Sequence, residues 1–129
     1  TSYAVDADIA IVLESTTAAD LDGVSGANRV CVLGDGPVIS FMDNRTIYDR
    51  ELFELGFTFA KENNIPAQTK TAVAGGNDAG AIQTSGDGAR VMAISLPTRY
   101  IHSGASVVKA SDIDETRRLL KALLPELTD

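Results

Sequence analysis

Two runs of apolar residues predict the central strands of a sheet. Ile9 to Leu13 is unbroken, rich in β-branched side chains and followed directly by Glu14, and a second buried run lies within Arg90 to Leu96. Runs of this length are typical of strands that are covered on both faces, as in parallel sheets. We therefore expect Glu14 to stand at the end of a buried strand.

Weaker patterns predict three further strands. Arg29 to Leu33 and Val38 to Met42 are short and apolar, and the turn residues Gly34 to Pro37 lie between them, which favours a hairpin. Ala67 to Val73 alternates imperfectly and is interpreted as another strand. Ser15 to Asn28 shows no period, and we interpret it as a loop.

Helical spacing occupies the intervening segments. From Asp49 to Asn63 the apolar residues fall on one helical face, and the pair Asn63-Asn64 suits a left-handed helix end. Ala79 to Thr84 predicts a short helix that begins at Asn77 or Asp78. These two helices alternate with the predicted strands.

The last helix is predicted by its start as well as its spacing. Ser111 is a good N-cap residue, with Asp114 three positions later. Helical spacing then continues at these positions: Ile113, Thr116, Leu120, Leu123 and Leu127.

The alternation of strands and helices predicts an α/β fold. We expect a layered, mostly parallel sheet with helices on both faces. Because sites in such sheets gather at strand ends, Glu14, the loop at Gly75 and His102 should share one rim although they are far apart in sequence.

Composition narrows the class of protein. A chain of 129 residues that is 44% hydrophobic suits one globular domain, residues 1–129, and the net charge of -7 argues against nucleic-acid binding. No apolar stretch is long enough for a membrane helix. The single cysteine, Cys31, excludes an internal disulfide and fits a reducing cytoplasm. The first residue is Thr1 rather than Met, which indicates a piece of a longer protein.

Glu14 and His102 are candidate metal ligands. A lone histidine after a strand is more often a hydrogen-bonded surface or core group, but a carboxylate and an imidazole together suit zinc or cobalt. Two ligands cannot complete a two-metal site, which also needs a bridging carboxylate. Asp43 heads a predicted turn and Asp78 suits a helix cap, so neither is taken as a ligand.

The glycine-rich loop Gly75 to Gly80 offers backbone N–H groups near a predicted helix start. Such groups suit a carboxylate or phosphate, and a simple tight turn is an equally good interpretation. The nucleotide-binding patterns GxGxxG and GK[ST] are absent. A serine triad is disfavoured because His102 adjoins Ser103 and no nucleophile elbow is present, and the lack of tryptophan argues against glycoside hydrolysis.

Five segments recur together and in this order in one known family. They are Asp8 to Glu14, Gly34 to Pro37, Asp43 to Arg45, Ala74 to Ile82 and Pro97 to Ser103. The chain resembles the glutamyl aminopeptidases that assemble as tetrahedral particles, some of which carry an endoglucanase label. The resemblance covers nearly the whole chain and implies a zinc-exopeptidase-like, incomplete catalytic domain.

The resemblance also implies roles for individual residues. Glu14 matches the terminal carboxylate ligand of one metal and His102 the terminal histidine of the other, in a site of two divalent ions, zinc or cobalt. Gly76 and Asp78 would lie near the bound peptide. The family's other ligands and its general base would precede Thr1, so this chain alone should be inactive, and the intact enzyme should form a homo-oligomer.

The alternative to an enzyme part is a role without catalysis. On that interpretation the chain is a non-catalytic folded subdomain that self-associates or pairs with the missing half of its own protein. Convergence of Glu14 and His102 in space would favour the peptidase.

Overall fold

The computed structural model describes residues 2–127, and the side chains of residues 4–127. The order of elements is α1 (Ser2–Val5), β1 (Ile9–Thr17), a 3-10 helix (Gly26–Arg29), β2 (Val38–Ile39), α2 (Arg50–Glu62), α3 (Ala79–Gln83), β3 (Arg90–Thr98) and α4 (Ala110–Leu127). No described helix combines the length and the apolar character that crossing a bilayer requires.

The sheet is mixed, with the strand order β1-β3-β2. The two long strands β1 and β3 run parallel from Ile9 opposite Arg90 to Thr17 opposite Thr98, whereas β2 is antiparallel to β3. The prediction of a mostly parallel sheet is therefore confirmed only for the two long strands. β1 continues three residues beyond Glu14, so Glu14 lies within the strand rather than at its end.

Helices cover both faces of the sheet. On one face, Met92 and Ile94 of β3 pack in a core that also holds Leu52 of α2 and Leu119 and Leu123 of α4. The opposite face carries a smaller cluster of Tyr48, Ala79 of α3, Val91 and Ala93, with Ala10 and Val12 against it. Because side chains alternate along a strand, Glu14 shares the α3 face with Ala10 and Val12.

The helix predictions are confirmed with one shift of boundary. Asp49 caps α2 by accepting a hydrogen bond from the Leu52 backbone N–H at 3.0 Å, and Asn64 is left-handed at φ 52° just beyond the helix. α4 begins at Ala110, so Ser111 lies inside its first turn and is not its N-cap. Asp112 takes the buried position in that turn.

Three strand predictions were wrong in whole or in part. Arg29 to Leu33 forms the end of the 3-10 helix and a turn, in which Val30 has a positive φ of 63°. The strand predicted for Val38 to Met42 is confirmed only at Val38–Ile39, which forms β2. Val38 pairs with Ser95 of β3, so the expected hairpin is absent. Ala67 to Val73 contributes one bridge, between Gln68 and Val38, but is not a strand.

A buried carboxylate explains the conformation of the Gly34 to Pro37 turn. Asp112 is fully buried at the start of α4 and accepts hydrogen bonds from the backbone N–H groups of Gly34 at 2.8 Å and Gly36 at 3.2 Å. Both glycines have positive φ. The turn is thus anchored to α4 rather than closing a hairpin.

Candidate functional site

A cleft of about 330 Å³ opens beside the second half of β1. β1 contributes Glu14 to Thr17, the glycine-rich loop contributes Gly75 and Gly76, and the loop after β3 contributes Ile101 and His102. The carboxyl ends of the two parallel strands meet at this edge, which is where open α/β sheets bind ligands. Asp43 and Lys70 also line the cleft.

Glu14 is partly buried and is held by two side chains. Its Oε1 accepts a hydrogen bond from Asn77 Nδ2 at 2.5 Å and a longer one from Ser95 Oγ at 3.4 Å. Burial raises the pKa of Glu14 above its usual range, while the hydrogen bond from Asn77 and the charge of Lys70 act in the opposite direction. A cation placed in the cleft would therefore offset the cost of burying this carboxylate.

Asn77 connects Glu14 to a second acidic residue. Its Nδ2 also donates to the hydroxyl of Tyr48 at 2.7 Å, and that hydroxyl donates to Asp43 Oδ2 at 2.6 Å. Burial and the hydrogen bond to Asp43 raise the pKa of Tyr48, so the phenol keeps the proton that it donates. Asp43 in turn accepts from the backbone N–H groups of Arg45 and Thr46, which confirms the predicted turn.

His102 lies on a loop that is closed at its base. Arg99 and Val107 exchange two backbone hydrogen bonds of 2.9 and 3.0 Å, and Ser103 Oγ donates to the Tyr100 carbonyl at 2.6 Å. Tyr100 and His102 have φ values of 59° and 65°, so the chain turns sharply here. The imidazole is exposed and reaches the cleft.

An ion pair anchors the first residue of this loop. Arg99 donates from Nε and Nη2 to the two carboxylate oxygens of Asp20, at 2.7 Å each. The Asp20 side chain is only 2% exposed and also accepts from the Leu33 backbone N–H. The pair therefore fastens the base of the His102 loop to the segment that follows β1.

The predicted site residues only partly coincide with the cleft. Glu14, Gly76 and His102 line it together, although they lie far apart in sequence. Asp78 is exposed, is not among the lining residues and makes no capping hydrogen bond. Asp78 does occupy the predicted N-cap position of α3, but the side chain that accepts a hydrogen bond at this helix start is that of Asn77, whose Oδ1 accepts from the Ala79 backbone N–H.

The donors around the cleft fit a divalent metal in kind but not in number. A carboxylate and an imidazole are ordinary zinc ligands, and Asp43 adds another carboxylate on the same wall. Among residues 2–127, however, no three or more His, Cys, Asp or Glu side chains are grouped closely enough to hold an ion. Among the described residues, the cleft therefore brings together side chains of a kind that binds metal, but not a close group of three.

Solved structures show which class of protein has this fold. Aminopeptidase APDkam598 from the archaeon Desulfurococcus kamchatkensis matches with a TM-score of 0.92 and 31% identity over 98% of this chain and 37% of its own. The TET1 peptidase of Pyrococcus horikoshii, which can assemble into a tetrahedron or a large octahedral shell, matches with a TM-score of 0.66 and 31% identity over 89% of this chain and 32% of its own. The chain thus shares the fold of about a third of each of these two proteins.

Sequence comparison gives the family. The profile of M42 glutamyl aminopeptidase matches residues 1–119. Lysyl aminopeptidase of Pyrococcus furiosus is 32% identical over 127 residues, which are 98% of this chain and 35% of that protein. The chain belongs to the M42 glutamyl aminopeptidase family, and it spans about a third of the length of these relatives.

Proposed function

We propose that this chain is the carboxyl-terminal part of the catalytic domain of a two-metal aminopeptidase. In this proposal Glu14 is a ligand of one metal and His102 a ligand of the other. The observation that carries it is that these two side chains line one cleft at the strand ends. Membership of an aminopeptidase family supports peptide hydrolysis as the reaction.

In this proposal, some residues of the chain bind metal and others orient the peptide. Zinc or cobalt, when bound, supplies a nucleophilic water at neutral pH and polarises the scissile carbonyl. Glu14 and His102 would hold the ions, and the backbone of Gly76 would face the peptide. Asp78 lies outside the lining residues, so we confine the substrate role to Gly76.

We expect the remaining ligands and the general base outside this chain. The proposed sheet is the zinc-exopeptidase type, completed by strands that this chain does not contain. By analogy with the TET1 peptidase, the intact enzyme is proposed to be a homo-oligomer. The buried Cys31 thiol, whose pKa burial raises to about 12, is compatible with the proposed cytoplasmic location.

Zinc binding by this chain tests the ligand assignment. Zn²⁺ titration followed by the backbone NMR shifts of residues 75–77 and 102 should give weak binding centred on the cleft. Glu14→Gln and His102→Ala should each weaken it about tenfold or more, because each removes one donor. Glu54→Gln, an exposed carboxylate paired with Arg50, serves as the control and should bind like wild type.

Two results would contradict the assignment. Zinc-induced shifts could appear away from the cleft, or both variants could bind zinc as well as wild type. The chain alone should hydrolyse no aminoacyl p-nitroanilide. Hydrolysis that disappears in Glu14→Gln would mean that all the metal ligands and the general base lie within this chain. It would overturn the proposal that some of them lie outside it.

A second candidate is a folded subdomain that self-associates. Two observations favour it: no described strand pairs with the outer edge of β1, and an apolar groove of about 240 Å³ lies beside that edge. The groove is lined by Leu13, Leu96, Ile113, Thr116, Arg117 and Leu120. The mass of the chain in solution distinguishes a self-associating subdomain from a monomeric one.

A further inference from the structure

We propose that Asn77 is a positioning residue that fixes the Glu14 carboxylate for metal binding, with Tyr48 and Asp43 as its supports. The inference extends the proposed function, since it assumes that Glu14 is a metal ligand. It rests on the hydrogen bonds that surround the Asn77 amide. Asn77 comes from the glycine-rich loop and reaches across to β1.

Three partners determine the orientation of the amide. Nδ2 donates to Glu14 Oε1 and to the Tyr48 hydroxyl, and Oδ1 accepts from the Ala79 backbone N–H. The reversed amide would place Oδ1 against a carboxylate oxygen and Nδ2 against an N–H group, and both contacts repel. Asn77 can therefore offer Glu14 only a donor.

The support behind Asn77 is itself fixed. The Tyr48 side chain is buried, its hydroxyl proton is committed to Asp43, and Asp43 is anchored by two backbone N–H groups. The Tyr48 oxygen must then act as an acceptor toward Asn77. The network leaves each polar atom of the Asn77 amide with a partner, which restrains the side chain.

The consequence concerns the two oxygens of Glu14. Both donors, Asn77 Nδ2 and Ser95 Oγ, meet Oε1, and no hydrogen bond to Oε2 occurs among the residues that the structure describes. Oε2 is thus the oxygen available to an ion in the cleft. Hydrogen-bond partners of metal ligands commonly contribute about 10- to 100-fold to metal affinity, because they orient the ligand before the ion arrives.

Paired measurements on the metal-free and zinc-loaded chain test the inference. In Asn77→Ala we expect the three-bond couplings of the Glu14 side chain to show averaged rotamers, whereas wild type shows one. Zinc affinity should fall about 10- to 100-fold. Tyr48→Phe, which removes a support but not the contact with Glu14, should lower zinc affinity by a smaller factor.

The controls separate positioning from stability. Thr84→Ala removes a side-chain hydrogen bond to the Gly80 carbonyl just past α3 without touching Glu14, and it should change neither readout. Asn77→Leu keeps the approximate size of the side chain but has no donor and adds no carboxylate that could bind zinc, so it should lose zinc affinity while remaining folded. It decides the question if Asn77→Ala does not fold.

The outcomes distinguish this inference from the proposed function. An ordered Glu14 that becomes averaged in Asn77→Ala, in a chain that binds no zinc, would support positioning and overturn the ligand assignment. Wild-type zinc affinity in Asn77→Leu would overturn the role of Asn77, and so would a single Glu14 rotamer in Asn77→Ala, which can be observed whether or not zinc binds. A loss of zinc affinity in Thr84→Ala equal to that in Asn77→Ala would reduce the effect to general stability.

Discussion

At the scale of single residues, the backbone around the site depends on positions that tolerate only one kind of side chain. Gly36 has a φ of 81°, and a Cβ there would lie 1.9 Å from the Pro66 carbonyl oxygen. Its N–H also donates to the buried Asp112. The backbone conformation and the lack of space for a Cβ therefore both require glycine at position 36, and its N–H fixes the turn to Asp112.

Gly36→Ala should therefore destabilise the chain more than alanine at an open glycine. Gly26 is the matched control, since it has a φ of 58° but a Cβ added there would meet nothing within 4 Å. We expect Gly26→Ala to cost about 1 to 2 kcal/mol for the left-handed backbone alone. Gly36→Ala should cost about 3 kcal/mol or more, because the clash with backbone adds to the strain. Urea denaturation measures both, and equal losses would contradict the packing argument.

The Asp20–Arg99 pair gives stability a defined pH dependence. The Arg99 guanidinium lowers the pKa of Asp20 to about 2, compared with about 3.9 in an unfolded chain. A depressed folded pKa stabilises the fold above the unfolded value, and this stability is lost as the pH falls from about 4 to about 2. Asp20→Asn removes this contribution at neutral pH.

We expect Asp20→Asn to lower the free energy of unfolding at pH 7 by about 2 kcal/mol. The loss should shrink as the pH approaches 2, because the wild-type carboxyl is then being protonated as well. Denaturant titrations between pH 2 and 7 measure the difference. A deficit independent of pH would show that the ion pair does not cause it. Asp22→Asn, an exposed neighbour, controls for the change in net charge.

At the scale of elements, a helix or strand could be predicted from the sequence where the residues that determine it lie close together along the chain. α2 was predictable because its cap, its apolar face and its left-handed end all lie within one short segment. The strand predicted for Arg29 to Leu33 was wrong because its apolar residues pack in a buried loop, where Cys31 joins a cluster with Ala18 and Val38. Apolar composition reports burial but not the backbone conformation that achieves it.

The same limit applies to the site. Glu14, Gly76 and His102 stand in segments with a recognisable motif, and all three reached the cleft. The sequence pattern indicates Asn77 only as a possible helix start, since its contacts with Glu14 and Tyr48 join residues that sequence spacing does not connect. Strand alternation puts Glu14 on the same face as Ala10 and Val12, but it does not indicate that an amide on a loop would meet Glu14 there.

The start of α2 carries a prediction that separates capping from charge. Asp49 Oδ1 accepts from the Leu52 N–H, and the same carboxylate pairs with Arg90 at 2.7 Å. Asp49→Asn keeps a capping oxygen and loses the charge, so it should cost about 1 kcal/mol or less for a partly exposed pair. Asp49→Ala loses the cap as well and should cost about 1 to 2 kcal/mol more.

Urea denaturation followed by circular dichroism distinguishes these variants. Glu54→Gln, which breaks the exposed pair with Arg50 in the same helix, is the control and should cost no more than about 0.5 kcal/mol. Equal losses in Asp49→Asn and Asp49→Ala would mean that the ion pair with Arg90, and not the cap, sets the stability of α2.

At the scale of the whole molecule, the two faces of β1 differ in how well their side chains are held by the rest of the chain. Glu14 faces the cleft and is restrained by the network around Asn77, whereas Leu13 points to the α4 face and is 51% exposed. The outer edge of β1 has no strand partner among the described residues. An unpaired edge beside exposed apolar side chains favours the addition of another strand.

We therefore expect the 13.6 kDa chain to associate in solution through β1 and its neighbouring groove. Leu13→Lys places a charge on that edge and should shift the mass measured by light scattering toward the monomer, without changing the fold. Ile47→Lys is the control, since Ile47 is 67% exposed but does not line the groove. Equal loss of association in both variants would indicate a nonspecific effect of charge. A wild-type chain that stays monomeric at all concentrations would show that the groove does not drive self-association. That result would favour the first proposal, in which this chain is part of an aminopeptidase catalytic domain, over the self-associating subdomain.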